Sequence, residues 1–405
     1  MFLLESEQMI KYDFKTYTKN YYTKNEYNEI MFRKNEIMNK LKNSNMNGWT
    51  KKIDNQTVNK IKETANFINK NFDCLVVIGI GGSFLGSFAV DKLLSKYFCD
   101  KKFEIIYAGT SLSSEYLNEL INYLKNKNYC INVISKSANT METNITYKLL
   151  KNELKRRYND KEIKKRIIIT TDKEKGQLRK EVNEMGYTSF IIPDNIGGRF
   201  SFITPAHLLP LATNYNIDEI INGYYQGEKL LDIAYEYAAV RYLLYKHGKV
   251  VENFAVTEEK MIYFSEWIKQ VFGETEGKNE SGILPFSTVF TRDLHSLGQF
   301  IQEGNKILFE TFIKVKKTDN FIKYNDKTLS TVNNLVINSV IKAHSKGNVP
   351  CLEIEIEELT EKNIGLLIYF FQLSASFSGY LFGVEPFNQP GVEIYKKEVR
   401  KTLNN

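Results

Sequence analysis

The sequence has little of what metal sites, disulfide frameworks and secreted proteins are built from. Its four cysteines are scattered over 405 residues without a C-x-x-C pair, and none of its four histidines stands at zinc-ligand spacing. Free thiols in a reducing compartment are therefore expected, and no metal. The first residues are partly acidic and contain no apolar run, so we expect no signal peptide and a cytoplasmic protein.

Concentrated positive charge is also scarce. The formal net charge is only +7, and the densest basic run, Lys151–Arg166, contains three acidic residues. A solvated helix and loop is favoured there over a nucleic-acid patch, so no nucleic-acid partner is expected. The mild positive excess agrees with an anionic substrate such as a phosphate ester, without specifying one.

Long uncharged segments are limited to one. Ile364–Val384 has no charged residue and is long enough to cross a bilayer. It also contains a glutamine, serines and glycines, and nothing else in the chain resembles a span. We predict a helix buried on all sides within a large protein, and no membrane.

Apolar runs alternate with helical patterns through the first half of the chain. Cys74–Ile78 is a short apolar run that ends in glycines, which is typical of a buried parallel strand. This alternation predicts a doubly wound parallel sheet, whose ligands bind outside the carboxyl ends of the strands. Further strands are predicted at Phe103–Ala108, Cys130–Ile134 and Arg166–Thr170, and helices at Phe84–Tyr97, Ser114–Lys125 and Met141–Arg157.

The second half repeats this alternation less cleanly, and the whole is an α/β chain with two such sheets. We predict an N-terminal helical arm at 1–60, a first domain at 61–193, a second at 194–384, and a C-terminal loop and helix at 385–405. Predicted elements are the strands Val250–Val256, Lys306–Val315 and Val349–Ile356, and the helices Asn25–Leu41, Ile217–Tyr237, Glu258–Val271, Leu329–His344 and Thr360–Leu381.

Two loops at the ends of predicted strands are candidate anion sites. Gly79–Gly86 follows a strand and opens a helix, but its spacing fits neither a dinucleotide fingerprint nor a Walker A loop. An anion or sugar-hydroxyl site and a tight strand-to-helix turn are about equally supported. Ser135–Thr140 offers three hydroxyls before a helix, which is more than an N-cap needs and favours an anion site.

Two further segments contain charged residues beside glycines. Arg199 stands in Gly197–Ser201, where it would either clamp an oxyanion or belong to a surface turn. Gln270–Lys278 contains paired acids beside glycine, which suggests a carboxylate in a constrained loop that works as a general base.

Two basic residues are candidates of lower specificity. His295 is one of four histidines, and Asp293 is close enough in sequence to orient it, although a histidine satisfied within the structure is more common. Lys396, in Gln389–Lys396, is either a charge donor near a site or a solvated helix residue.

Taken in order, these five segments resemble the glucose-6-phosphate isomerase family in its shorter bacterial form. The similar region runs from about residue 70 to about 400, with the motifs G-I-G-G-S, S-K-S, G-G-R-F-S, G-E-T-E-G-K and Q-P-G-V-E-x-x-K. The resemblance implies two sugar-isomerase (SIS) domains, assembled as a homodimer. It also implies that glucose 6-phosphate and fructose 6-phosphate are interconverted through ring opening and a cis-enediolate, without a cofactor.

The resemblance further implies a role for each matching residue. Glu274 moves the proton between C1 and C2, and Arg199 stabilises the enediolate. Lys396 and His295 assist ring opening, with His295 reaching the site from the partner subunit. The implied substrate-binding residues are the phosphate loop Ser135, Lys136, Ser137 and Thr140, the sugar-contacting turn Gly82 and Ser83, and the pocket glutamines Gln270 and Gln389.

Three residues depart from the family pattern, and two other classes of protein remain open. Asn139, Asn388 and His207 stand where threonine, aspartate and a small residue are expected, which would affect substrate affinity. A SIS module that only senses a phosphosugar has no reason to keep Glu274, His295 and Lys396 together. A glutamine-dependent aminosugar transferase would need an N-terminal nucleophilic cysteine, whereas position 2 is Phe2 and the first cysteine is Cys74.

Overall fold

The computed structural model describes residues 10–98, 103–136, 140–318 and 321–404. The chain forms two compact units. The central unit consists of the described residues of Asn45–Ile221, and the split unit combines those of Met1–Ser44 with those of Asn222–Asn405. The units thus divide the chain after 44 and after 221, whereas the sequence prediction divides it after 60, 193 and 384.

The N-terminal residues of the split unit contain a strand as well as helices. They form β1 (Lys11–Tyr17), α1 (Lys24–Phe32) and α2 (Lys34–Lys42). Thr23 and Glu26 form a capping box at the start of α1. The helical pattern predicted around Asn25–Leu41 thus corresponds to two helices, and the predicted helical arm also contains a strand. The strand was missed because only one of its residues, Phe14, is buried, which leaves a weak alternation.

The central unit contains a five-stranded parallel sheet in the order β3-β2-β4-β5-β6. The chain order therefore reverses between β2 and β4, as in other doubly wound sheets. Its elements are α3 (Asn55–Asn71), β2 (Cys74–Ile78), α4 (Leu85–Leu94), β3 (Glu104–Ala108), α5 (Ser114–Leu124), β4 (Tyr129–Ile134), α6 (Met141–Arg157), α7 (Asp160–Arg166), β5 (Ile167–Thr171), α8 (Gln177–Met185), β6 (Thr188–Ile191), α9 (Pro205–Ala212) and the start of α10 (Ile217–Gln226).

The middle strands of this sheet explain why its prediction succeeded. Every residue of β2, β4 and β5 is buried, so each strand is mostly apolar, with Asn132 in β4 and two threonines at the end of β5 as the exceptions. The predicted strand Cys74–Ile78 and helix Met141–Arg157 have the observed bounds. The prediction missed β6, an edge strand of four residues with a single buried side chain.

The split unit contains a mixed five-stranded sheet in the order β1-β12-β9-β7-β8. Only β1 is antiparallel. Read from the other side, the four parallel strands lie in the order β8-β7-β9-β12, which corresponds to β3-β2-β4-β5 in the central sheet. The remaining elements are α11 (Leu231–Lys246), β7 (Val251–Val256), α12 (Ile262–Glu276), β8 (Leu284–Val289), α13 (Gly298–Glu303), β9 (Leu308–Val315), β10 (Lys323–Tyr324), β11 (Lys327–Thr328), α14 (Leu329–Lys346), β12 (Cys351–Ile356), α15 (Glu361–Leu381) and α16 (Pro390–Asn404).

Two differences from the prediction lie in this unit. Strand β8 was missed because it contains Pro285, which cannot donate to a ladder and is tolerated here since β8 is an edge strand paired only with β7. The helix predicted at Ile217–Tyr237 is interrupted by a 3-10 turn at Gly227–Leu230 before α11 begins.

Helix α15 is the uncharged segment noted in the sequence. It is long and apolar enough to span a membrane by length and composition, yet 94% of its most apolar window is buried inside the protein. Two of its polar side chains are bonded within the protein: the Ser374 hydroxyl donates to the Phe370 carbonyl one turn earlier, and Gln372 accepts from the Tyr224 hydroxyl on α10. The helix is thus a core element of the split unit, as predicted.

Candidate active site

The two candidate anion loops lie side by side at the carboxyl edge of the central sheet. They follow β2 and β4, which are neighbours with Ile78 opposite Val133. The chain order reverses between these strands, so their connections leave on opposite sides and open a crevice between the two loops. Ser137 and Asn139, in the second loop, lie outside the described residues.

The glycine turn after β2 contacts the segment that contains Arg199. The chain forms a 3-10 turn at Gly81–Ser83, with Gly81 at φ +55°, and α4 begins only at Leu85. A Cβ atom at Gly82 would lie 2.2 Å from the carbonyl carbon of Gly198, so only glycine permits this backbone approach.

Arg199 is held in the interior and not in a surface turn. It is 2% exposed and lies in a 3-10 turn at Gly198–Ile203. The Ser201 hydroxyl donates to the carbonyls of Gly198 (2.7 Å) and Gly82 (3.1 Å), which fastens this turn to the glycine turn. The surface-turn alternative is therefore wrong, because Arg199 is buried.

The second anion loop is tied to neighbouring backbone. The amide of Ser135 donates to the Thr170 carbonyl (3.1 Å), and the Lys136 ammonium donates to the carbonyls of Pro193 (3.1 Å) and Asp194 (3.0 Å). Thr140 is the N-cap of α6, but its side chain makes no capping hydrogen bond. The Thr140 hydroxyl thus does not occupy the first-turn N–H groups of α6, the kind of donors that bind anions at helix N-termini.

The central unit therefore brings together six of the predicted site residues. We call them the carboxyl-edge cluster: Gly82, Ser83, Ser135, Lys136, Thr140 and Arg199. One functional candidate was missed at the sequence level, namely His207, which was noted only as a departure from the family pattern. It is buried behind the glycine turn and bonded to it.

In the split unit, Glu274 and Gln270 lie one helical turn apart at the end of α12. The Gln270 amide donates to the Glu274 carboxylate at 3.1 Å, and both side chains are partly exposed. The prediction of a constrained loop is wrong for Glu274, because α12 continues to Glu276 and ends at Gly277. The pair projects from a rigid element, which fixes the carboxylate better than a loop would.

A buried ionic cluster holds this end of α12. Arg241, Glu252 and Glu276 have fully buried side chains, and the Arg241 guanidinium lies 2.6 Å from Glu252 and 2.5 Å from Glu276. Burial lowers the pKa of Arg241, but the attraction of the two carboxylates outweighs this effect and raises the pKa overall. The guanidinium therefore stays charged. Tyr237, Thr311 and Ser378 complete the cluster by donating to Glu252 or accepting from Arg241.

His295 lies beyond the opposite end of the same strand, β8. Helix α12 runs back from the carboxyl end of β7, and a Cβ at Gly273 would touch Pro285 at the start of β8. His295 follows the carboxyl end of β8, in an exposed 3-10 turn. Strand β8 has six residues, or about 20 Å of length. Glu274 thus lies near the amino end of β8, and His295 lies beyond its carboxyl end.

Asp293 does not serve the role that its spacing suggested. Its carboxylate accepts from the Val289 amide (2.7 Å) and pairs with Arg292 (2.8 Å). The Arg292 hydrogen bond lowers the pKa of Asp293. Within the described ranges no hydrogen bond joins it to His295.

The two C-terminal candidates lie at and near the start of α16. Gln389 is exposed and precedes the helix, while Lys396 is partly exposed and its ammonium lies 3.1 Å from the carboxylate of Glu393. Among the described residues the structure gives no contact between Lys396 and either Glu274 or His295.

The described part of the chain offers no cluster of three or more His, Cys, Asp or Glu side chains that could hold a metal ion. Cys74, Cys130 and Cys351 are free and buried. Burial raises the pKa of Cys74 to about 12 and also raises those of the other two, so all three thiols are protonated at neutral pH.

The two doubly wound sheets and the carboxyl-edge cluster define an α/β protein of the phosphosugar isomerase (SIS) fold class. Among solved structures, it is similar to a hypothetical protein from Thermus thermophilus, with a TM-score of 0.85 and 22% identity over 98% of this chain and 100% of that one. It is also similar to a glucose-6-phosphate isomerase from Chlamydia trachomatis, with a TM-score of 0.77 and 20% identity over 86% of this chain and 73% of that one.

Sequence comparison identifies the family. The family model of phosphoglucose isomerase matches residues 38–345, and the chain belongs to this family. A glucose-6-phosphate isomerase from Mycoplasmopsis pulmonis is 44% identical over 383 residues, which are 88% of this chain and 90% of that one. The enzyme of the same name from Staphylococcus aureus strain Newman is 42% identical over 369 residues, 85% of this chain and 83% of that one.

Proposed function

We propose that the protein interconverts glucose 6-phosphate and fructose 6-phosphate, the aldose–ketose isomerisation of glycolysis and gluconeogenesis. The observation that carries the proposal is the Glu274–Gln270 pair at the end of α12, in a chain that belongs to the phosphoglucose isomerase family. The reaction goes through ring opening and a cis-enediolate, and it uses no cofactor.

The chemical problem is the removal of a weakly acidic proton from a carbon next to a carbonyl. A carboxylate does this quickly only when it is held in place, which contributes on the order of 7 kcal/mol or more. Glu274 transfers the proton between C1 and C2, and Gln270 orients its carboxylate through the 3.1 Å hydrogen bond. Placement on the last turn of a helix restricts the carboxylate further.

The enediolate needs a cation where its negative charge develops. Arg199 supplies this charge, and its burial strengthens the interaction because little water competes. A well-placed donor of this kind is worth roughly 3 kcal/mol in the transition state. The glycine turn with Gly82 and Ser83 contacts the sugar beside it.

The phosphate is bound away from the reacting carbons. Ser135 and Thr140 offer hydroxyls in the loop that leads into α6, and Lys136 fixes the loop to the Pro193 and Asp194 carbonyls. Phosphate binding at a helix N-terminus needs no metal. The binding energy of this remote group holds the sugar in its reactive position.

Ring opening is assigned to Lys396 and His295, with His295 supplied by the partner subunit of a homodimer, and Gln389 lines the pocket. The position of His295 supports this arrangement. Within one chain, Glu274 lies near the amino end of β8 and His295 lies beyond its carboxyl end, so the two residues are at opposite ends of this strand. In a twofold homodimer the second chain contributes another His295, and we propose that this histidine completes the site that contains Glu274.

A cytoplasmic location is also proposed, supported by the three buried free thiols, since such thiols are usual in reducing compartments. No nucleic-acid or membrane partner is proposed.

An assay of purified protein on glucose 6-phosphate, with mannose 6-phosphate alongside, tests the function. Glu274→Gln should lower kcat by about 10²–10⁴-fold, the usual contribution of a general base. It should leave fructose 6-phosphate binding nearly unchanged. The control is Glu266→Gln, on the same helix, whose carboxylate pairs only with Lys269 among the contacts described. Fructose 6-phosphate binding without turnover by the unmodified protein would instead identify a sensing module.

Mixing two inactive variants tests the shared site. In hybrid dimers of Glu274→Gln and His295→Ala chains, one site contains both substitutions and the other contains neither. Statistical exchange should therefore restore about a quarter of the unmodified activity. No recovery in dimers shown to have exchanged would refute the contribution of His295 by the partner.

A further inference from the structure

His207 is a buried histidine that no assigned role uses. It lies on α9, is 2% exposed, and sits directly behind the glycine turn of the carboxyl-edge cluster. Its ring is nearly parallel to that of Phe202, with centroids 5.8 Å apart. A Cβ at Gly86 would lie 3.2 Å from the imidazole, so the ring also packs closely on the start of α4.

Both nitrogens of the ring bind backbone groups of the glycine turn and of α4. The Nε2 atom lies 2.7 Å from the Gly82 carbonyl oxygen, and the Nδ1 atom lies 3.0 Å from the Ser87 amide nitrogen. The Ser201 hydroxyl lies 3.3 Å from Nε2 and donates to the same Gly82 carbonyl. His207 therefore links the turn of Gly82 with the segment that contains Ser201 and Arg199.

These partners define one protonation state. A backbone amide only donates, so Nδ1 must accept and have no hydrogen. A carbonyl only accepts, so Nε2 must have the hydrogen. The neutral Nε2–H tautomer satisfies both bonds, and burial supports it by lowering the pKa of His207 to about 4.

The bond to Gly82 acts on a peptide that has little room to move. Gly82 is already in backbone contact with Gly198, and the residue after Gly198 is the enediolate candidate Arg199. Without the Nε2–H donor, the Gly82 carbonyl keeps only the longer bond from Ser201 among the side-chain bonds described. A rotation of this peptide changes where the turn and Arg199 stand relative to each other.

We infer that His207 is a positioning residue, whose Nε2–H group fixes the Gly81–Ser83 turn against the Gly198–Arg199 segment. The inference rests on the proposed function, because it assigns the turn and Arg199 to the same substrate. His207 itself touches no reacting atom. Its effect is on the geometry of transition-state stabilisation and less on ground-state binding.

Two amide variants separate positioning from packing. Gln places its amide N–H near the Nε2 position and can donate to Gly82, whereas Asn reaches only the Nδ1 position and can accept from Ser87. His207→Asn should lower kcat by about 10–100-fold with KM changed by less than about threefold, as expected for a misplaced catalytic group. His207→Gln should keep kcat within about fivefold of the unmodified protein.

A purely structural histidine gives a different result. Asn and Gln would then lose activity equally, in proportion to their loss of Tm, and this outcome overturns the inference. The matched control is Thr213→Val, which removes a buried hydroxyl bonded to the Pro210 carbonyl at the far end of α9. It should lower Tm with little change in kcat.

Amide hydrogen exchange separates this inference from the proposed function. Exchange at Gly82 and Ser83 should accelerate in the Asn variant and stay near that of the unmodified protein in the Gln variant. If the unmodified protein shows no isomerisation, the proposed function fails, and the exchange data still decide whether His207 holds the turn. Equal exchange rates in the two variants would refute the claim that the Nε2–H group of His207 fixes the turn.

Discussion

The two sheets share a strand order, but the anion loops and Glu274 lie at opposite ends of their strands. In the central unit, the anion loops follow the carboxyl ends of β2 and β4, where doubly wound sheets usually bind ligands. In the split unit, Glu274 lies at the end of α12, beside the amino end of β8. The fold rule that ligands bind at the carboxyl ends of the strands thus predicts the position of the anion loops but not that of Glu274. Function depends on particular side chains and not on the fold alone.

The two regions also differ in what holds them. The glycine turn is fixed by a backbone contact and by a neutral histidine. The end of α12 is fixed by Arg241, which bridges two buried carboxylates. Buried charges that are fully paired define a geometry tightly, but each becomes costly when its partner is removed. We therefore expect the α12 end to be more sensitive to substitution.

Loss of the central charge should have the largest effect. Arg241→Met leaves Glu252 and Glu276 buried without a cation, and it should reduce the free energy of unfolding by about 3–5 kcal/mol. Each unit contains one of the two tryptophans, so Trp267 fluorescence in a Trp49→Phe background reports urea unfolding of the split unit.

The triple variant that also replaces both glutamates by glutamine is the control. It removes the unpaired charges and should recover most of the lost stability, because neutral amides are less costly to bury. A small loss in Arg241→Met, or no recovery in the triple variant, would contradict the ionic explanation.

The difference between the two regions also decides what the sequence could predict. The central strands were found because burial of both faces leaves apolar runs such as Cys74–Ile78. Their loops were found because each directly follows a strand. The edge strands β1, β6 and β8 were missed, since an edge needs fewer apolar residues and permits Pro285.

The residues that support the site had no local signal. Arg241 meets Glu252, Glu276 and Ser378, which lie on other elements and are up to 137 residues away in sequence. Glu274 was expected in a loop because glycines flank it, whereas tertiary packing extends α12 through Gly273. In the sequence, His207 was only a departure from the family pattern. Its role is suggested by its hydrogen bonds to Gly82 and Ser87, which only the structure shows.

A methyl group at the glycine contact tests the central region directly. Gly82→Ala places a Cβ 2.2 Å from the Gly198 carbonyl carbon, so the turn must move away from Arg199. Because a displacement of about 1 Å costs about 10²-fold in rate, kcat/KM should fall by this factor.

Gly198→Ala is the matched comparison. The Cβ at Gly198 would lie 3.8 Å from the Gly82 Cα atom, an ordinary contact, so this variant should lose far less activity. Equal losses would mean that backbone freedom, and not the close approach, explains the effect.

The smallest expected effect is the pH dependence of stability that arises from His207. It tests whether a neutral ring fixes the glycine turn, in contrast to the charged cluster that fixes the end of α12. Above pH 6.5 the ring is neutral in both folded and unfolded chains. Below it the unfolded chain binds a proton that the folded chain, with a pKa of about 4, does not. Stability is therefore lost as the pH falls, by about 2 kcal/mol between pH 7 and pH 5.

Urea unfolding followed by Trp49, in a Trp267→Phe background, measures this loss. His207→Gln has no titrating ring, so the stability of the histidine protein should fall towards, or below, that of the variant as the pH drops. Both chains contain the same other titrating groups, whose contributions cancel in the difference. If the difference in unfolding free energy between the two proteins did not change with pH, His207 would keep its ordinary pKa in the folded chain. The glycine turn would then not be fixed by a ring that burial keeps neutral.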